Sequence, residues 1–88
     1  MMTYELEISE KLQKIFEKLK RKDKVRADII KRKIKEILEN PFIGKPLTGD
    51  KAGIRRIHIR PFVLTYEILE KENIIRLLDY DHHDNIYR

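Results

Sequence analysis

The chain has no cysteine and no tryptophan, only three glycines and three prolines, and no long apolar run. Without cysteine it can build neither a disulfide framework nor a thiolate metal site, which accords with a reducing, cytoplasmic setting. The longest apolar stretches, such as "FVLTY", are far shorter than the ~20 residues that cross a bilayer, so no membrane partner is expected. The opening "MMTYELEISEK" lacks a basic start followed by an apolar run and predicts no signal peptide. All three glycines and two of the three prolines fall in one stretch, "PFIGKPLTGDKAG". That concentration of breakers predicts a loop there and leaves the flanks to regular structure. No internal repeat, low-complexity tract or linker divides the chain, and its 88 residues predict a single domain spanning 1–88.

What the chain does have is charge. The net charge is +5, and twelve of the twenty Lys and Arg lie between Lys11 and Lys35. Such a segment suits a polyanionic partner, whether RNA, DNA or an acidic protein. It is equally the pattern of two solvated helical faces, with Glu17, Asp28 and Glu36 interspersed.

"TYELEIS" alternates, with Tyr4, Leu6 and Ile8 on one side, and predicts a half-buried strand. Ser9 can cap a helix in which Leu12, Ile15, Phe16 and Leu19 recur at helical spacing. "KRKDK" interrupts the stripe, and Asp23 can cap a second helix carrying Val25, Ile29, Ile30, Ile34, Ile37 and Leu38 on one side. Pro41 stops that helix at Asn40. The short connection predicts an antiparallel helical hairpin. After the loop come three strand-like segments, residues 54–60, 62–70 and 73–80, with Lys71 and Glu72 suited to a polar hairpin turn. The middle segment is apolar on both sides, as a central strand requires. The order β-α-α-β-β-β predicts an α+β fold, with both helices packed on one face of a curved, mostly antiparallel sheet.

In "IRRIHIR" the alternation sends Ile57 and Ile59 toward the helices and Arg56, His58 and Arg60 to the opposite face. Guanidinium forks suit phosphate oxygens, and an imidazole exchanges protons near neutrality. The same pattern is also that of an ordinary polar outer face. The chain ends in "DHHDNIYR". Across the middle strand, His58 and His82 or His83 can line the walls of one groove, with Tyr87, as base, acid and orienting hydroxyl. A metal site from His58, His83 and Asp81 or Asp84 lacks the usual helical histidine spacings, and no metal or other cofactor is expected. A plain polar tail is the remaining reading.

The run "GIRRIHIRPFVLTYEI", the ending "DHHDNIY" and the element order together resemble the RelE/ParE superfamily of toxin–antitoxin toxins, most closely its RelE branch. The resemblance covers nearly the whole chain. It implies a ribosome-dependent endoribonuclease, an mRNA interferase that cuts translated mRNA by attack of the ribose 2′-hydroxyl on the adjacent phosphate. By position, Arg56 and His58 match two basic strand residues, Arg60 follows as a phosphate contact, His83 matches the proton donor, and Tyr87 matches the tyrosine that stacks on or orients the base. Lys51, Arg55 and His82 join Arg56 and Arg60 as candidate RNA contacts. The chain departs from the pattern at Val63, where many members carry an arginine, at Asp81, where glycine is usual, and at Asp84 and Asn85. The implied partners are the ribosome, its mRNA, and a RelB-like acidic antitoxin that wraps the toxin. The same scaffold is also compatible with a ParE-like toxin that inhibits a topoisomerase by protein contact, or with a plain nucleic-acid-binding module.

Overall fold

A computed structural model describes residues 4–47 and 53–86. Strand β1 (Glu5–Ile8) leads into helices α1 (Glu10–Lys22) and α2 (Lys24–Glu39). A 3-10 turn (Pro41–Ile43) and a two-residue strand β2 (Lys45–Pro46) precede β3 (Ile54–Ile59), β4 (Phe62–Leu69), β5 (Ile74–His82) and a short helix α3 (His83–Ile86). The five strands form one sheet in the order β1-β5-β4-β3-β2. The three main strands are antiparallel neighbours with β4 central, and β1 joins β5 in parallel. This is the α+β arrangement the element order predicts.

The helix ends follow local chemistry. The Ser9 side chain accepts the Leu12 N–H, and the Asp23 side chain accepts the Arg26 N–H, so each helix begins with a side-chain oxygen on an otherwise unpaired donor. Leu12, Ile30 and Ile37 then pack against Ile59, Leu64, Tyr66, Ile75, Leu77 and Tyr80 of the sheet. Val25 does not join them and is 72% exposed.

Three differences from the sequence-based expectation matter for the site. First, the 41–53 stretch is not all loop. Tyr66, wholly buried, donates its hydroxyl to the Pro41 carbonyl at 2.6 Å and accepts the Gly44 N–H at 3.0 Å. That clamp holds the 3-10 turn and presents β2 to β3. Gly44 is needed there, because a Cβ would run into the Tyr66 ring and hydroxyl. Second, β5 runs on to His82 and carries a bulge. Thr65 pairs with Asp79 and Tyr66 with Leu77, which leaves Leu78 as the extra residue. The bulge changes the phase of the strand. Leu77 and Tyr80 both enter the core, and Asp79 and Asp81 fall on the face away from the helices. Third, β3 stops at Ile59, so Arg60 lies in the tight turn before Phe62 rather than on the strand; the Arg60–Pro61 peptide is cis.

No helix among the described residues is long and apolar enough to cross a membrane.

Candidate active site

The face of the sheet away from the helices is built by register. Arg56 and His58 share it, while Ile57 and Ile59 turn to the core. His58 stands opposite Val63, and Val63 opposite Asp81. Val63 is wholly buried on this side, and α3 folds back over β5 and β4. An apolar side chain therefore fills this position between His58 and Asp81.

The junction of β5 and α3 is tied down at several points. The backbone N–H of His83 donates to the Pro61 carbonyl at 3.0 Å, which joins the start of α3 to the β3–β4 turn. The Asp81 carboxylate accepts the His82 N–H at 2.7 Å and the Asn85 side-chain amide at 3.0 Å. Those two hydrogen bonds hold its pKa below the ordinary aspartate value. Asp81 and Asn85 thus act together as a bracket across the junction, and the Asp81 charge is absorbed locally. His82 Nδ1 accepts the Asp84 N–H at 3.2 Å, so its imidazole serves the first turn of α3. Asp84 lies between the two histidines, 3.7 Å from His82 Nδ1 and 3.8 Å from His83 Nδ1.

The result is a juxtaposition of residues 25 positions apart. The rings of His58 and His83 stack with centroids 5.9 Å apart and planes inclined by 30°. Both line a cavity of about 430 Å³, together with Arg60, Pro61, Phe62, His82 and Asp84. His58 has its pKa lowered, first by partial burial and then by the charges of Arg56, Arg60, His83 and Lys45. A neutral imidazole among guanidinium groups is suited to accept a proton beside a bound anion.

The sequence-predicted residues divide accordingly. Arg56, His58, Arg60, His82 and His83 are brought to one end of the sheet. Arg55 is not. Its register places it opposite Tyr66, on the helix side, where its guanidinium donates to the Gly44 carbonyl at 2.7 Å and lies over the Phe42 ring at 5.0 Å. Lys51 and Tyr87 lie outside the described residues. Among the described residues no group of three or more His, Asp or Glu side chains is placed to hold a metal ion.

The alternation pattern missed Arg26. From the first turn of α2 it donates to the Ile59 carbonyl at 3.1 Å and lies over the Phe62 ring at 5.7 Å. Phe62 in turn stacks on Tyr80 and meets His82 edge-on. Arg26 thereby braces the β3–β4 turn from the helix side. Nothing local marks this role, because the Ile59 carbonyl and the Phe62 ring lie more than thirty residues away.

Residues 6–88 match the family described as ParE-like toxin of type II bacterial toxin-antitoxin system. The chain is 40% identical over 86 residues to the Methanocaldococcus jannaschii protein named "Putative toxin RelE4", covering 97% of this chain and 92% of that one. Its fold is shared by the YoeB/ParE toxin of Agrobacterium tumefaciens, with a TM-score of 0.79 at 21% identity over 90% of this chain and 98% of that one. It is also similar to an E. coli RelE mutant in complex with an antitoxin RelBc peptide, with a TM-score of 0.75 at 25% identity over 98% of this chain and 92% of that one. Sequence match and fold agree, and the chain belongs to the RelE/ParE superfamily of toxins of type II toxin–antitoxin systems.

Proposed function

We propose that this toxin is a ribosome-dependent endoribonuclease that cuts translated mRNA, with His58 as general base and His83 as general acid. The observation that carries the reading is the stacked His58–His83 pair opening on one cavity with Arg60. A binding module needs cations on such a surface but has no use for two neighbouring imidazoles. In the reaction His58 takes the proton of the ribose 2′-hydroxyl as that oxygen attacks the adjacent phosphorus. The bond to the 5′-oxygen breaks, and that oxygen leaves with a proton from His83. The products are a 2′,3′-cyclic phosphate and a 5′-hydroxyl. Arg60, which lines the cavity, offsets the charge that builds on the phosphorane oxygens. Tyr87 is assigned to the base beside the cut by the family resemblance.

The reading is tested by adding the purified protein to a reconstituted translation reaction, beside a gyrase supercoiling assay. The mRNA should be cut on the ribosome, and EDTA that leaves ribosomal magnesium in place should not slow the cut. The ParE-like description of the matching family favours one alternative, inhibition of a topoisomerase by protein contact. Intact mRNA with arrested supercoiling would establish that alternative instead.

A pH dependence follows from the site. His58 must be neutral to act as base, so cleavage should rise with pH as it loses its proton. Because its pKa is lowered from 6.5, the rising limb should lie below pH 6.5. Arg60→Gln removes one of the charges that disfavour the imidazolium, so the limb should shift to higher pH, in addition to any loss of rate. A limb that stays in place when Arg60 is neutralised counts against His58 as the base.

The partner in this reading is a RelB-like antitoxin, as in the similar E. coli complex. An apolar hollow of about 350 Å³ lies between β1 and the helices, lined by Leu6, Phe16, Leu19, Ile30 and Ile34, with Lys20 and Lys31 beside them. Its chemistry suits the apolar side of an acidic segment that folds as it binds. Leu6→Glu, on the exposed edge strand, should weaken antitoxin binding at least about 10-fold, a step of ~1.4 kcal/mol. Cleavage of mRNA should continue. Unchanged affinity in a titration of toxin with antitoxin would place the antitoxin elsewhere.

A further inference from the structure

The open face of the sheet is electrically divided, and the division follows the register. One row across it reads Lys45, Arg56, Thr65, Asp79, from β2 through to β5. The next row toward the site reads His58, Val63, Asp81. At the far end, Arg76 is held between Glu7 at 2.6 Å and Glu67 at 3.0 Å, leaving that cluster with a net negative charge. Directly opposed residues of an antiparallel pair share a face. Lys45 and Arg56 therefore stand side by side on the β2–β3 edge, and the acidic groups of β5 lie two strands away.

The edge is held in place from below. The Arg56 guanidinium donates to the Pro46 carbonyl at 2.9 Å, and the Leu47 N–H donates to the Ile54 carbonyl at 2.8 Å, both tying β2 to β3. The Tyr66 clamp on Pro41 and Gly44 fixes the approach to β2. Arg56 is two residues from His58 along β3, about 7 Å, which places the Lys45–Arg56 pair next to the cavity but outside it.

We propose that Lys45 and Arg56 form a second phosphate subsite beside the His58–His83 pair, and that the single-stranded RNA backbone follows the β2–β3 edge rather than crossing the sheet. The proposal rests on the nuclease reading for the direction of the strand into the cavity. The basic residues on one edge attract the backbone, and Asp79 on β5 and Glu7 on β1 repel it from the other. Lys45 also accounts for part of the positive field felt by His58, so occupation of this subsite by a phosphate and the protonation of His58 are coupled. Nothing in the sequence pattern singled out Lys45. It stands beside a proline at the start of the breaker-rich stretch, and only pairing with β3 brings it to the site.

The test is equilibrium binding of a short single-stranded RNA bearing a 2′-deoxy sugar at the cut position, measured across a salt series. Each phosphate neutralised on a single strand contributes roughly 0.7 to the slope of log K against log salt. Lys45→Gln should lower that slope by about 0.7 and weaken binding about 5-fold at 0.1 M salt. Lys45→Arg should restore both. Lys71→Gln, in the β4–β5 turn at the other end of the sheet, removes the same charge and should change neither. In single-turnover cleavage of ribosome-bound mRNA, Lys45→Gln should raise the toxin concentration for half-maximal rate and leave the maximal rate near that of the wild type. The binding arm does not depend on cleavage. Lys45-dependent binding of this RNA together with intact ribosome-bound mRNA in the cleavage arm would overturn the nuclease reading and leave the subsite standing. A Lys45→Gln slope equal to that of the wild type, an equal loss in Lys71→Gln, or a wild-type slope near zero would overturn the subsite.

Discussion

His58→Ala and His83→Ala should each slow single-turnover cleavage of ribosome-bound mRNA by at least about 10²-fold, the low end for loss of one general acid–base group. That corresponds to about 2.7 kcal/mol of transition-state stabilisation. Both side chains are exposed and lie outside the hydrophobic core, so the circular dichroism spectrum and melting temperature should change little. The double variant is the sharper measurement. Two groups that move protons in one concerted step act as a unit, so removing both should cost little more than removing the more important one. Fully multiplicative losses would mean that the two imidazoles contribute independently, as two phosphate contacts do. Wild-type cleavage by His83→Ala would remove it as the acid outright. His82→Ala provides the internal contrast. Its Nδ1 is engaged with the Asp84 N–H at the start of α3, so its loss should loosen that turn and act on the rate only through His83.

Tyr66→Phe should be the most damaging change of a single atom in the fold. The hydroxyl bonds Pro41 and Gly44, both buried, and its deletion leaves a carbonyl and an N–H without their partner. Each unsatisfied buried group costs about 1–3 kcal/mol, so a loss of about 2–4 kcal/mol is expected. For a domain of this size that lowers the melting temperature by about 10 °C or more. The consequence should reach function, because the clamp presents β2 and therefore Lys45. Even where the variant is folded, its RNA-binding salt slope should fall toward that of Lys45→Gln. Thermal melting within 2 °C or so of the wild type would show that water replaces the hydroxyl and that the clamp is not what holds this segment.

How much of this was legible beforehand depends on the range of the interaction. The two helix starts were readable because a cap is a contact over three residues, Ser9 to Leu12 and Asp23 to Arg26. The face of β3 was readable because alternation is a local geometric necessity, and Ile59 is buried while His58 is exposed. The central place of β4 was readable because both its faces are apolar, and Val63, Leu64, Thr65 and Tyr66 are all buried. Arg55 shows the limit of that reading. Its charge put it among the RNA contacts, yet alternation sets it on the opposite face from Arg56, and tertiary hydrogen bonds engage it with Gly44.

Composition and periodicity alone determined the α+β class, the helical hairpin, the shared outer face of Arg56 and His58 on β3, and the presence of a histidine cluster at the end of the last strand. These follow from backbone geometry and from interactions spanning a few residues, which a sequence displays directly. Only the tertiary structure decided that His83 rather than His82 stacks on His58, that Arg26 braces the turn between them, and that Lys45 stands beside Arg56. The reason is the bulge at Leu78 and the Pro61–His83 hydrogen bond. One extra residue in β5 exchanges the faces of everything after it, and one backbone bond between distant segments selects which imidazole meets the other. Neither leaves a periodic trace in the chain, because each is set by which strands pair and in what register.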